Sequence, residues 1–293
     1  MDSALSTVGL PIALAIIMFG LGLDLTVRDF RRVGQQPKAV LVALACQLVL
    51  LPVVCFGLVL LLDLPPLLGI GMMLLAASPG GTTANLFSHL FRGDVALNIT
   101  LTAINSIVAI GTLPLITNLA IRWYDQSDSV SMPLVEVVKV FVLILVPVGI
   151  GMLVRARSEG FAARMDRPVR IGSAVILALL ILGILLDQRE NVGDYLADVG
   201  LVAALFCAIS LVVGYAVPRA FGVADDQAVA SSFEIGVHNG TLAIFVAVEV
   251  LDSTEISVPA AVYSLLMFPM AALWGTVVSR RIRARSTSQP VAP

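Results

Sequence analysis

Charged residues are scarce in this chain of 293 residues. They make up 13% of it, about half the roughly 25% of an ordinary soluble domain. Hydrophobic residues account for 58%, so there is too little polar surface to coat a water-soluble globule. That excludes a soluble enzyme and points to a polytopic membrane protein, with the lipid bilayer as a partner. The formal net charge is only -2, which leaves no basic surface for a nucleic acid. The three cysteines, Cys46, Cys55 and Cys207, are scattered through apolar runs. They read as small core residues, not as a disulfide framework or a metal site. Neither a His-Glu-x-x-His zinc motif nor a Gly-x-Ser-x-Gly nucleophile motif occurs. An intramembrane enzyme is therefore only a remote alternative. Met1-Asp2-Ser3 lacks the positive start of a signal peptide, so the first apolar run is expected to remain as a membrane helix.

What is abundant is long apolar segments. A membrane-spanning helix needs about 20 mainly apolar residues. Candidates lie at about 5–23, 38–62, 65–91, 94–121, 132–154, 168–187, 195–218, 225–250 and 256–279. The expected fold class is all-α, with nine transmembrane helices. The loops after the first, third, fifth and seventh segments, together with the C-terminal end, carry fifteen of the 18 basic residues, from Arg28 to Arg285. Positive residues accumulate on the cytoplasmic side, so the N-terminus is expected outside and the C-terminus in the cytoplasm. Residues 286–293 read as a disordered polar tail.

Two segments are interrupted. The third contains Ser78-Pro79-Gly80-Gly81-Thr82-Thr83-Ala84-Asn85. Pro79 removes a backbone donor and disfavours helix at Ser78, so the helix should stop and restart. The eighth contains Ser231-Ser232-Phe233-Glu234-Ile235-Gly236-Val237-His238-Asn239-Gly240-Thr241. Unwound backbone in hydrocarbon is tolerated only where protein or water satisfies it. Paired interruptions at corresponding positions of two halves are the sequence pointer to a secondary-transporter site built on an inverted repeat.

Glu234 is the only acid well inside a predicted span. Such a residue is costly in lipid and marks a functional site by default. Gln47, Asn85, Asn98, Thr102 and Asn105 also lie at or near membrane depth. Their oxygens, with the carbonyls of Ile235 and Val237, suit a hard cation such as sodium. Asn105 is read separately, as an inter-helix hydrogen bond. The restarting half-helices open near Thr82 and Thr83 and near Asn239, Gly240 and Thr241. Their unpaired N–H groups and partial positive charge suit a small organic anion.

At these residues the chain resembles the bile acid:sodium symporter family. The matching stretches are Ile17-Met18-Phe19-Gly20-Leu21-Gly22-Leu23, Gln47 followed by Pro52, Ser78 to Asn85, Arg92-Gly93-Asp94-Val95-Ala96-Leu97, and Phe233 to Asn239. The resemblance implies one transporter domain over 1–285 in which two discontinuous helices cross. Core helices would lie at about 38–121 and 195–279, and panel helices at about 5–23 and 132–187. It implies a first sodium site at Asn85, Asn98, Thr102 and Glu234. A second would use Gln47, Glu234, His238 and the Ile235 and Val237 carbonyls. Substrate would lie between panel and core, near Thr82, Asn239 and Gly240. Ala84 and Asn98 each stand where the family often has Ser, and His238 where it usually has Gln. The expectation is sodium-coupled import of a bile-acid-like or small carboxylate anion through the inner membrane, with one or two sodium ions, by a monomer or homodimer. Proton coupling through Glu234 and His238 is the alternative. Arsenite efflux, which favours a thiol at the broken helix, fits poorly with Ser78.

Overall fold

A computed structural model describes residues 10–31, 34–126, 134–187 and 192–287. Every regular element among them is helical: α1 (Leu10–Asp24), α2 (Val27–Arg31), α3 (Pro37–Ala45), α4 (Leu51–Leu61), α5 (Pro66–Ala77), α6 (Thr82–Leu90), α7 (Val95–Trp123), α8 (Leu134–Arg157), α9 (Glu159–Asp187), α10 (Val192–Ala220), α11 (Asp225–Gly236), α12 (Gly240–Glu249) and α13 (Thr254–Thr287). Five stretches are long and apolar enough to cross a membrane: Pro37–Leu61, Val95–Trp123, Val138–Arg157, Ala197–Ala220 and Thr254–Ile282. Large apolar side chains such as Leu61, Leu179 and Leu273 point outward, more than half exposed. That outer surface suits lipid better than water. Helix α13 runs to Thr287. Residues 288–293 of the expected tail and residues 1–9, which include the start of the first expected span, lie outside the described residues.

Pro37–Leu61 is continuous but not regular. Pro52 has no N–H to give to the preceding turn, and Cys46–Leu50 widens into a π-helical turn in which the Leu51 N–H reaches back five residues to the Cys46 carbonyl. Such bulges often sit beside functional positions. This one turns the buried Gln47 side chain toward the end of α5, where it donates to the Ser78 carbonyl at 3.0 Å.

Both expected interruptions are present. Helix α5 stops at Ala77, where Ser78 adopts extended backbone (φ -72°, ψ 142°), and α6 restarts at Thr82. Helix α11 stops at Gly236, and α12 restarts at Gly240. The two gaps face each other in one isolated antiparallel bridge between Gly80 and His238. In it the Gly81 N–H donates to the Val237 carbonyl at 3.2 Å and the Asn239 N–H to the Pro79 carbonyl at 2.8 Å. Each break satisfies the backbone groups that the other leaves without a helical partner, which is what burial in an apolar bundle demands.

Around this bridge the packing sorts into neighbours. Helix α1 packs on α8 and α9. A Cβ on Gly151 of α8 would stand 2.8 Å from the Gly22 backbone of α1, so these two helices meet at glycine-on-glycine distance. On the other side, α5 packs on α7 and α13, α10 on α11 and α13, and α11 on α6 and α7.

Candidate functional site

Glu234 lies on the last turn of α11, fully buried. An ionised carboxylate held this far from water needs several partners. Thr102 of α7 stands 2.5 Å from Oε2 and donates its hydroxyl, and Asn105 donates its amide to Oε1 at 3.2 Å. Gly80 of the first break lies against the carboxylate. The approach is so close that a Cβ on Gly80 would stand 2.5 Å from the carboxyl carbon. Three elements, α7, α11 and the α5–α6 gap, therefore converge on one acid.

Of the nearby amides, Gln47, Asn98 and Asn105 use the nitrogen and leave the oxygen free, and Asn85 uses neither atom. Asn98 gives both amide hydrogens away, to Ser88 Oγ and to the Ala230 carbonyl, each at 2.8 Å. Its Oδ1 is buried with no partner, as are Oδ1 of Asn85, Oδ1 of Asn105 and Oε1 of Gln47. A buried unsatisfied acceptor costs about 1–3 kcal/mol, so several in one region are a sign of ligation. Oxygen acceptors beside a carboxylate fit a hard monovalent cation and offer nothing to a soft one.

The expected cation residues thus divide. Asn85, Asn98, Thr102 and Glu234 lie on α6, α7 and α11, which pack on one another. Asn105 makes the inter-helix hydrogen bond expected of it, from α7 to Glu234 on α11. It is three residues beyond Thr102 and seven beyond Asn98, one face of a single helix, and that spacing was the available signal that it meets the same acid as Thr102. Gln47 and His238 meet elsewhere, on the Ser78 carbonyl, which His238 Nδ1 reaches at 3.1 Å. The Val237 carbonyl already accepts from Gly81.

Of the residues expected for an anion, Thr83, Asn239, Gly240 and Thr241 line a cleft of about 500 Å³. One wall carries Ile17 of α1 with Leu177 and Leu182 of α9, and the other Thr83, Thr241 and Phe268. Gly81, Asn239 and Gly240 also border it. Asn239 caps α12, its Oδ1 accepting from the Leu242 N–H at 3.0 Å. The Thr82 backbone opens α6, and its side chain lies outside the described residues. Among the described residues no Lys or Arg lines this cleft, and its polar border is made of His238, Asn239, Ser264 and the hydroxyls of Thr83 and Thr241. A second cavity, of about 1240 Å³, is bordered by Arg28, Asp29, Val95, Arg155 and Glu159.

The sequence pattern of the sodium bile acid symporter family matches residues 11–194. The chain is 24% identical over 274 residues to an uncharacterised sodium-dependent transporter of Bacillus subtilis, covering 94% of this chain and 84% of that protein. It is 26% identical over 275 residues to the human ileal sodium/bile acid cotransporter, covering 92% and 78%. A probable chloroplastic sodium/metabolite cotransporter of Arabidopsis thaliana is 26% identical over 273 residues, covering 90% and 66%. Gly80, Asn85 and Glu234 thus stand in a multi-pass membrane protein, and the chain belongs to the sodium bile acid symporter family, whose members are transporters and not enzymes.

Proposed function

We propose that the protein imports an organic anion by alternating access in the inner membrane, driven by sodium bound beside Glu234. The observation that carries this reading is the bridge between the two broken helices with Glu234 directly behind it. The nine passes would be α1, α3–α4, α5–α6, α7, α8, α9, α10, α11–α12 and α13, with the N-terminus outside. The mutual packing of α1, α8 and α9 supports a panel, and the remaining passes a core.

Sodium would be held by Asn85, Asn98, Thr102 and Glu234. The ion neutralises the carboxylate and ties α6, α7 and α11 together. This fixes the gap between α5 and α6, and with it the N-terminal ends of α6 and α12 that border the cleft. Those ends carry partial positive charge and free N–H groups, which favour a carboxylate. Thr83, Asn239, Gly240 and Thr241 would surround that head group, with Thr82 contributing backbone. The apolar walls from Ile17, Leu182 and Phe268 would cover an apolar body. The names of the relatives, bile acid and metabolite cotransporters, agree with such a substrate.

The first cavity is lined from α1, α9, α12 and α13 and the second from α1, α2, α7 and α8, so both would lie on the seam between the proposed panel and core. A rocking of one body against the other would open that seam alternately at its two ends. The test is a thermal-unfolding screen of organic anions on the purified protein, in sodium and in potassium. A substrate should stabilise the protein only with sodium, through binding to the folded state. Equal stabilisation in potassium would contradict the reading.

A further inference from the structure

We infer that this protein binds a single sodium ion, because the His238 imidazole fills the neighbouring donor set and ties it up in protein hydrogen bonds. The inference rests on the sodium-coupled reading above.

The buried acceptors divide unevenly. On the α6–α7 side stand the amide oxygens of Asn85, Asn98 and Asn105, all without partners, beside the Glu234 carboxylate. On the other side the groups are already engaged. Gln47 donates its amide to the Ser78 carbonyl, and His238 Nδ1 lies 3.1 Å from the same oxygen. A carbonyl only accepts, so Nδ1 carries a proton, and in the neutral ring the lone pair is then on Nε2. The Val237 carbonyl accepts from Gly81 at 3.2 Å.

The ring is also wedged. It stacks on Phe206 of α10 with centroids 5.5 Å apart and meets Tyr263 of α13 edge-on at 5.4 Å. Tyr263 itself donates to the Gly236 carbonyl at 2.9 Å, so the wall behind the ring is fixed as well. Among the side chains, what remains free is Gln47 Oε1 and His238 Nε2. With the Ile235 carbonyl, to which none of the described turn and loop groups donates, they offer two oxygens and one imidazole nitrogen, a poor shell for an alkali ion, which selects several hard oxygens.

Charge points the same way. Among the described residues the only buried acids are Glu234 and Asp29. Asp29 belongs to α2, where it accepts from the Thr26 N–H and hydroxyl. One sodium neutralises Glu234. A second would leave a positive charge in the interior with no acid to match it.

The experiment is equilibrium binding of radiolabelled sodium to the purified full chain at constant ionic strength, with sodium titration of thermal unfolding beside it. One ion per chain and a Hill slope of about 1 are expected. Asn85→Ala, whose side chain loses no partner, should abolish saturable binding. His238→Gln, which puts an amide oxygen where the ring stood, should raise the count to two ions. Two ions on the unmodified chain, or one surviving in Asn85→Ala, would overturn the inference and leave sodium coupling standing. A folded His238→Gln protein that stays at one ion would overturn the role given to His238. Absence of any saturable sodium binding to the unmodified chain would overturn the sodium-coupled reading, and this inference with it.

Discussion

Gly80 and Glu234 lie against each other across two interrupted helices: a Cβ on Gly80 would stand 2.5 Å from the carboxyl carbon of Glu234. The glycine is required here by close approach, since any side chain would push the acid off the bridge. Gly80→Ala should destabilise the protein by about 1–3 kcal/mol, the usual range for overpacking. It should also remove stabilisation by sodium, which a denaturation series with and without the ion would measure. A variant as stable as the parent, with its sodium response intact, would show that the contact is incidental.

Thr102 and Asn105 hold the two oxygens of Glu234 from one face of α7. Hydrogen bonds to charged groups contribute about 1.5–3 kcal/mol each. Thr102→Val and Asn105→Leu should each weaken sodium affinity, and the double variant should lose less than the sum because the two share one partner. Sodium titrations of the four proteins form the cycle. Strict additivity would mean that the residues do not act through the same carboxylate.

Much of this was legible beforehand, and the reasons are local. Pro79, Gly80 and Gly81 act on the backbone of their own segment, so a break could be placed at Ser78 without knowing any neighbour. Glu234 stood out because it is the only acid well inside an expected span. What stayed hidden depends on distant pairing. The bridge joins residues far apart in sequence, and no property of the Gly80 segment names His238 as its counterpart. The turn that aims Gln47 at Ser78 arises from Pro52, yet Pro52 also fits an ordinary kinked helix. Asn105 reads as one more inter-helix contact until α11 is seen to place Glu234 opposite it. The His238 ring depends on Phe206 and Tyr263, which lie on two other helices.

Pro52 offers a test of the π-helical turn. Pro52→Ala returns an N–H to that position and lets Cys46–Leu50 relax toward regular helix, which rotates Gln47 away from the Ser78 carbonyl. The α5 break would lose one of its two side-chain donors, a loss of about 0.5–1.5 kcal/mol, set against the gain from removing proline. Hydrogen exchange at Gly80 and Gly81 should rise. Unchanged protection there would mean that Gln47 does not hold the break.

The cleft can be separated from the cation residues. Leu182 lies on the α9 wall, away from Glu234. Leu182→Trp should fill part of the 500 Å³ space and lower anion uptake, while sodium still stabilises the purified protein. Loss of both responses together would place the two functions in one site instead of two.

Uptake into proteoliposomes tests the central claim most directly. A labelled organic anion, chosen by its sodium-dependent stabilisation of the protein, is followed with an inward sodium gradient or a matched potassium gradient at constant pH. Accumulation should occur only with sodium, and Glu234→Gln, which keeps the shape of the side chain but removes its charge, should abolish it. Equal accumulation in potassium, or full sodium-driven uptake by Glu234→Gln, would contradict the account.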